Sequence, residues 1–181
     1  MSNTQIEQQV EKWLDDVVIG LNLCPFAAKP RRNGQIKIRI SNAKNDEQLL
    51  NDIIEEFTLL DNLTATDLET TLVVTPNYCE SFDDYLEIVD WLEAIIDQQW
   101  RGTYQLATFH PDYYFDGTDP DDDENLTNRS PFPVFHLIRE ASMEKVLKHY
   151  PNPEAIPETN IETVSTLTES QRQALFGYLF K

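Results

Sequence analysis

Between Ile36 and Phe109 the hydrophobic period changes four times, and that alternation constrains the fold more than any other feature of the chain. Ile36, Ile38 and Ile40 alternate with Lys37 and Arg39, the pattern of a strand with one solvated face near a sheet edge. Leu49, Leu50, Ile53, Ile54 and Phe57 then recur at helical spacing from about Asp46 to Leu60, with Asn45 and Gln48 as the opening box. Residues 70–75, stopped by Pro76, read as a short buried strand. Ser81 caps a helix carrying Phe82, Tyr85, Leu86, Val89, Leu92 and Ile96, and a strand from about Thr103 ends at Phe109. Strand, helix, strand, helix, strand at these spacings implies right-handed crossovers and predicts three parallel strands.

An N-terminal helix precedes this core, with Thr4 and Glu7 as its capping box, Val10, Trp13, Leu14, Val17, Val18 and Leu21 facing inward, and Gly20 as its stop. A turn at 22–26 and a basic loop around Lys29, Arg31 and Arg32 follow. Beyond Phe109 the periodicity lapses until Val134–Arg139, a fourth strand. Ser142 reads as the cap of a helix through His149, and two short helices follow near 158–167 and 169–180, the second boxed by Thr168 and Gln171. The 24 residues from Pro111 to Val134 allow the fourth strand to return antiparallel beside the third. The expected fold is a single α/β domain over residues 1–181, a small mixed sheet of three parallel strands and one antiparallel strand packed with helices. The alternative is a ferredoxin-like α+β sandwich.

Charge limits the partners. Thirty-two acidic against 14 basic residues give a net charge of −18. That balance argues against nucleic acid, whose phosphates need a basic groove, and against an anionic membrane surface. An anionic small-molecule ligand would have to be met by a few placed arginines. No apolar run is long enough to span a bilayer, and the polar, acidic stretch Met1–Glu11 lacks the features of a signal peptide. Two cysteines fit a reducing compartment, so a cytoplasmic location is expected; the oligomeric state stays open.

Long loops without regular structure are often functional. Residues 109–135 hold six of the 19 aromatic residues, together with His110, Asp112, Tyr113, Asn125, Asn128 and Arg129. His110 stands at the carboxyl end of a strand, where open α/β sheets bind ligands, and His136 near the start of the fourth strand would lie at the same edge. The imidazole of His110 serves equally as a pin for loop backbone groups or as a catalytic or metal-binding group. His136 has the same two readings, and His149 at a helix end is structural. Cys24, just past a helix C-terminus, is in the wrong field for a reactive thiolate unless Lys29, Arg31 and Arg32 fold back on it. The run 119–124 lacks the spacing of a calcium loop and reads as solvated. Asn125, Asn128 and Arg129 suit either rigid loop packing or oxyanion binding, and Arg139 either an ion pair or a second anion contact. Only five glycines make a nucleotide cradle improbable.

The segments GLNLCPFA (20–27), TTLVVTP (70–76), QLATFHPDYYF (105–115), NLTNRSPFPVFHLIREAS (125–142) and IPETNI (156–161) resemble the bacterial family catalogued as domain of unknown function 1415, over nearly the whole chain. The resemblance implies no reaction. It places Cys24, His110, Asp112, Asn125, Asn128, Arg129, His136 and Arg139 in signature segments. Two classes of function fit. The first is a small-molecule enzyme with His110 as base, Asp112 as its orienter, Cys24 as nucleophile, and Asn125, Asn128, Arg129, Arg139 and Tyr113 contacting substrate. In a variant of it, His110 and His136 hold a divalent metal such as zinc or iron. The second class is a non-catalytic ligand-binding or protein-interaction domain, in which the polar residues only hold the loop in shape.

Overall fold

The computed structural model describes residues 1–180; Lys181 lies outside the described residues. Four strands form as the periodicity predicts: β1 (Ile36–Ile40), β2 (Thr70–Val74), β3 (Tyr104–Phe109) and β4 (Val134–Arg139). Helices α3 (Asp46–Asn62) and α4 (Phe82–Gln99) connect the first three. Strand order is β1-β2-β4-β3, with β1 and β2 parallel and β4 antiparallel to both β2 and β3. This corrects the expectation of three parallel strands. β3 does run in the direction of β1 and β2, but β4 fills the space between β2 and β3, so only one parallel pair forms among the described residues. The physical reason is that a returning strand placed there makes perpendicular antiparallel hydrogen bonds on both sides. The ferredoxin-like alternative shares this split β-α-β with an inserted strand. Here, however, the strand outside that unit, β1, joins in parallel and helices cover both faces.

Both crossovers advance the same way across the sheet, and one handedness then places α3 and α4 on one face. Leu49, Ile53 and Phe57 of α3 and Phe82, Tyr85 and Leu92 of α4 bury against Val73, Phe135 and Leu137. Their caps are those expected. Asn45 accepts from the Gln48 amide at 2.9 Å, and the Ser81 hydroxyl accepts from the Asp84 amide. The other face is covered by α1 (Asn3–Trp13), α6 (Ile156–Ser165) and α7 (Glu169–Phe176), whose Val10, Trp13, Val164 and Phe176 meet Leu72, Val74 and Val134. Thr168 and Gln171 box α7 as predicted.

Three local expectations change. Ser2 and Gln5, not Thr4 and Glu7, form the capping box of α1. The basic loop is a short helix, α2 (Ala28–Arg32), because Arg31 reaches back to Asp15 at 2.8 Å and Glu11 at 3.2 Å on the preceding helix. Helix α5 (Glu140–Leu147) leaves β4 directly, without Ser142 as its cap.

After Trp13 the first helix widens into a π-helical turn, Leu14–Ile19, that ends at Gly20. A Cβ on Gly20 would lie 2.2 Å from the carbonyl oxygen of Asp16, a backbone atom that cannot swing aside. Glycine is needed there for space, not for a left-handed backbone. Gly20→Ala is expected to cost about 1–3 kcal/mol by overpacking, measured as a lower urea midpoint. An unchanged midpoint would show that the wide turn relaxes freely.

Candidate functional site

His110 directly follows the last residue of β3 and is fully buried. The Asp112 amide donates to Nδ1 at 3.0 Å, so the ring proton sits on Nε2, which donates to the Cys79 carbonyl at 3.0 Å. The ring centroids of Phe82 and Tyr85 each lie 5.2 Å from that of His110. Burial lowers the His110 pKa from its ordinary value, against the opposing pull of the Cys79 carbonyl and Asp112. Cys79 lies between β2 and α4 with φ of 59°, a left-handed conformation uncommon outside glycine. A loop histidine therefore secures the carbonyl of a strained residue on a different connection. Burial, reinforced by Asp46 and Asp84, pushes the Cys79 thiol up to about 12.

The other polar residues of the loop are spent in the same manner. Buried Asn125 accepts from the Phe115 amide and the Thr118 hydroxyl, each at 3.0 Å, and donates to the Asp119 carbonyl at 2.8 Å. Asn128 donates to the Thr108 carbonyl at 3.0 Å. Arg129 donates through Nε to the Tyr113 carbonyl at 3.1 Å and through Nη2 to the Pro120 carbonyl at 2.6 Å. The Trp13 indole N–H then donates to the Arg129 carbonyl at 3.1 Å, tying the loop to α1. The Tyr113 ring packs against Phe82 and Phe115 at 5.1 and 5.0 Å. Asp112, Tyr114 and Asp116 are exposed.

The acidic run is less solvated than expected. Residues Asp123–Asn128 form a 3₁₀ turn, Asp122 accepts from the Asp119 amide, and Asp123 pairs with Arg172 of α7. That guanidinium holds the Asp123 carboxyl below its usual range. Asp121 and Asp122 remain exposed.

Three candidates lie away from the loop cluster. Cys24 packs against the α1-side core, whereas the His110 ring contacts the α4-side residues Phe82 and Tyr85, and burial raises the thiol pKa. The two do not form a nucleophile–base pair. His136 pairs with Leu72 and Ala107 across the sheet, and its ring faces Phe109 of the α1-side core. The Thr70 hydroxyl gives its proton to the Leu137 carbonyl, so His136 Nε2–H donates to that hydroxyl at 2.7 Å. His110 and His136 thus face opposite sides of the sheet, and the structure does not bring the two rings together. No group of three or more His, Cys, Asp or Glu side chains suited to a metal occurs among the described residues. Arg139 faces Tyr104 at the other end of β3, roughly 17 Å from Phe109 at strand rise. Its guanidinium closes the end of α3, donating to the Leu60 and Leu63 carbonyls at 2.8 and 2.9 Å.

Two arrangements escaped the sequence reading. The buried Tyr85 hydroxyl accepts from the Phe109 amide at 3.1 Å and donates to the Val134 carbonyl at 2.7 Å, bridging the register pair that ends β3 and β4. Lys37 and Arg39, expected on a solvated face, lie instead beneath α3, where Lys37 pairs with Glu56 at 2.7 Å and Arg39 with Asp52 at 3.2 Å. The i, i+4 spacing of Asp52 and Glu56 was the available signal. Two surface hollows, of about 780 and 580 Å3, lie along Ala94–Arg101 and between α3 and α4; neither touches the loop.

Burial lowers the His136 pKa to about 4, against 6.5 for an exposed imidazole. The unfolded chain therefore takes up a proton at this group as pH falls through 6.5, while the folded chain resists until about 4. Its contribution is complete above pH 6.5 and declines by as much as about 3 kcal/mol as pH falls to 4. His110 acts in the same direction. Urea unfolding at a series of pH values across this window is expected to show the decline, and His136→Gln to flatten it. An equal slope in both proteins would contradict the assignment.

No helix of the described residues is long and apolar enough to cross a membrane. No curated protein and no solved structure matches the chain. One family does match, over residues 5–174 of the 181, and it spans the α1 turn, all four strands and the 110–133 loop. The chain belongs to the family described as Protein of unknown function (DUF1415).

Proposed function

We propose that the protein is a non-catalytic protein-interaction domain whose 110–133 loop is a rigid surface feature held from beneath by its own polar side chains. The observation that carries this reading is the state of His110. A general base or a metal ligand needs a lone pair aimed at its target. Here one ring nitrogen accepts from a backbone amide, the other donates to a backbone carbonyl, and the ring is fully buried. Asn125 and Arg129 are likewise spent on loop backbone groups, and Asn128 on the Thr108 carbonyl of β3. The enzymatic reading, with Cys24, His110, Asp112 and Arg129 in catalytic roles, requires this network to be dismantled before any substrate is met.

The test is stability against occupancy. His110→Ala is expected to lose about 2–4 kcal/mol in urea unfolding, since it strands a carbonyl and an amide and leaves a cavity. His110→Asn, which keeps one donor and one acceptor, is expected to recover part of that loss. Native mass spectrometry of the unmutated protein supplies the second measurement. A stoichiometric small molecule or metal that disappears in His110→Ala, at an unchanged unfolding midpoint, would overturn the non-catalytic reading in favour of the enzyme.

A further inference from the structure

The layer formed by α3 and α4 carries twelve Asp and Glu residues and no Lys or Arg in 35 positions. Some of those carboxylates are internally engaged: Asp52 and Glu56 with β1, Asp61 with Trp100 and Tyr104, Asp97 with Arg101. Glu47, Asp83, Glu87, Asp90 and Glu93 are exposed and make no ion pair among the described residues. Charge of one sign over a whole helical layer is unfavourable for an isolated surface, and like charges on helices repel.

The same layer exposes apolar surface. Between the two helices runs the hollow of about 580 Å3, with Leu50 and Ile54 of α3 on one wall, Trp91 and Ile95 of α4 on the other, and Asp46 and Glu47 at its rim. Trp91 is 45% exposed, and Leu86 on the same helix is 39% exposed. Each wall presents an i, i+4 pair, a spacing of about 6 Å along a helix axis. A groove walled in this way fits a third helix that sets apolar residues at i, i+3, i+4 and i+7 between the two. Aromatic side chains such as Trp are the usual energetic anchors of such contacts.

We infer that this groove docks a basic amphipathic helix of a partner protein, its apolar stripe on Leu50, Ile54, Trp91 and Ile95 and its Lys and Arg residues over the surrounding carboxylates. The charge selects the occupant. A second copy of the chain would bring one all-acidic layer against another, and an anionic lipid surface would be repelled. A cationic helix relieves the field and covers the tryptophan at once. The inference deepens the interaction-domain reading by naming its surface and the chemistry of its partner.

The experiment titrates the full chain with a synthetic Leu/Lys peptide of about five helical turns, spaced to be amphipathic, against a scrambled peptide of identical composition. Amide NMR shifts are expected to concentrate around Leu50, Ile54, Trp91 and Ile95. The scrambled peptide and the Trp91→Ser variant are each expected to bind about tenfold more weakly or worse, with the variant's melting temperature preserved because the side chain is half exposed. Affinity should fall steeply with added salt. Equal binding of both peptides, or unchanged binding to Trp91→Ser, would reduce the surface to unspecific charge attraction and overturn the proposal. Self-association that Trp91→Ser abolishes would overturn it in favour of a second copy. Failure of the peptide to bind, with His110→Ala destabilised as expected, removes the groove and leaves the interaction-domain reading standing. A ligand lost from the loop in His110→Ala removes that reading by a different measurement.

Discussion

Everything at the upper end of the sheet depends on how β3 and β4 part company. Their last register pair, Phe109 and Val134, is joined through the Tyr85 hydroxyl of α4, which is spliced between an amide of one strand and a carbonyl of the other. A buried phenol whose acidity burial suppresses strongly is a dependable neutral bridge. It fixes α4 relative to the hairpin, and so fixes the β2–α4 turn that presents the Cys79 carbonyl. His110, one residue beyond Phe109, can then reach that carbonyl only because the strand end, the helix and the turn already share one position. The loop is built outward from this point. Asn128 returns to the Thr108 carbonyl, Arg129 gathers the Tyr113 and Pro120 carbonyls, and Trp13 and Arg172 anchor the assembly to the opposite helical layer.

The two faces of the sheet divide the labour. On the α1 side, apolar packing dominates and His136 is the polar exception, satisfied by Thr70. On the α3–α4 side the outermost strand brings Lys37 and Arg39 under α3 to meet Glu56 and Asp52. Arg39 Nε, Glu56 Oε2 and Thr71 Oγ1 are buried in that layer without a hydrogen-bond partner among the described residues, a local cost of about 1–3 kcal/mol each. Charged residues on an edge strand also discourage pairing with foreign strands. The acidic outer surface of the same helices is a separate matter, because its carboxylates face solvent and are free to respond to a partner.

Strands and long helices were legible in the sequence because their signal is local. The alternation at Ile36–Ile40, the helical stripes of α3 and α4, and the Asn45, Ser81 and Thr168 caps each lie within a few residues of what they specify. Strand order was not legible, since hydrophobic pattern identifies a strand and not its neighbours; β4 reads identically at the edge of the sheet or between β2 and β3. The π turn before Gly20 escaped because one wider turn hardly disturbs the stripe Val10, Trp13, Leu14, Val17 and Val18. The loop residues stand out in the sequence, but the partners that fix their positions lie far along the chain. His110 answers to a carbonyl 31 positions earlier, Arg139 to the end of α3, and Asp123 to an arginine 49 positions later.

A connection as long as the one from Pro111 to Pro133 is ordinarily where a protease nicks a folded chain. Cleavage requires a stretch of backbone to peel away and lie extended in the enzyme's cleft. Here the amides of Asp112 and Phe115 and the carbonyls of Tyr113, Asp119 and Pro120 are each held by a side chain of the loop itself. Peeling them uncovers the buried His110 or Asn125, or strips Arg129 of its acceptors. The segment therefore opens with the hairpin rather than ahead of it, and limited proteolysis would find the loop as durable as the sheet it joins.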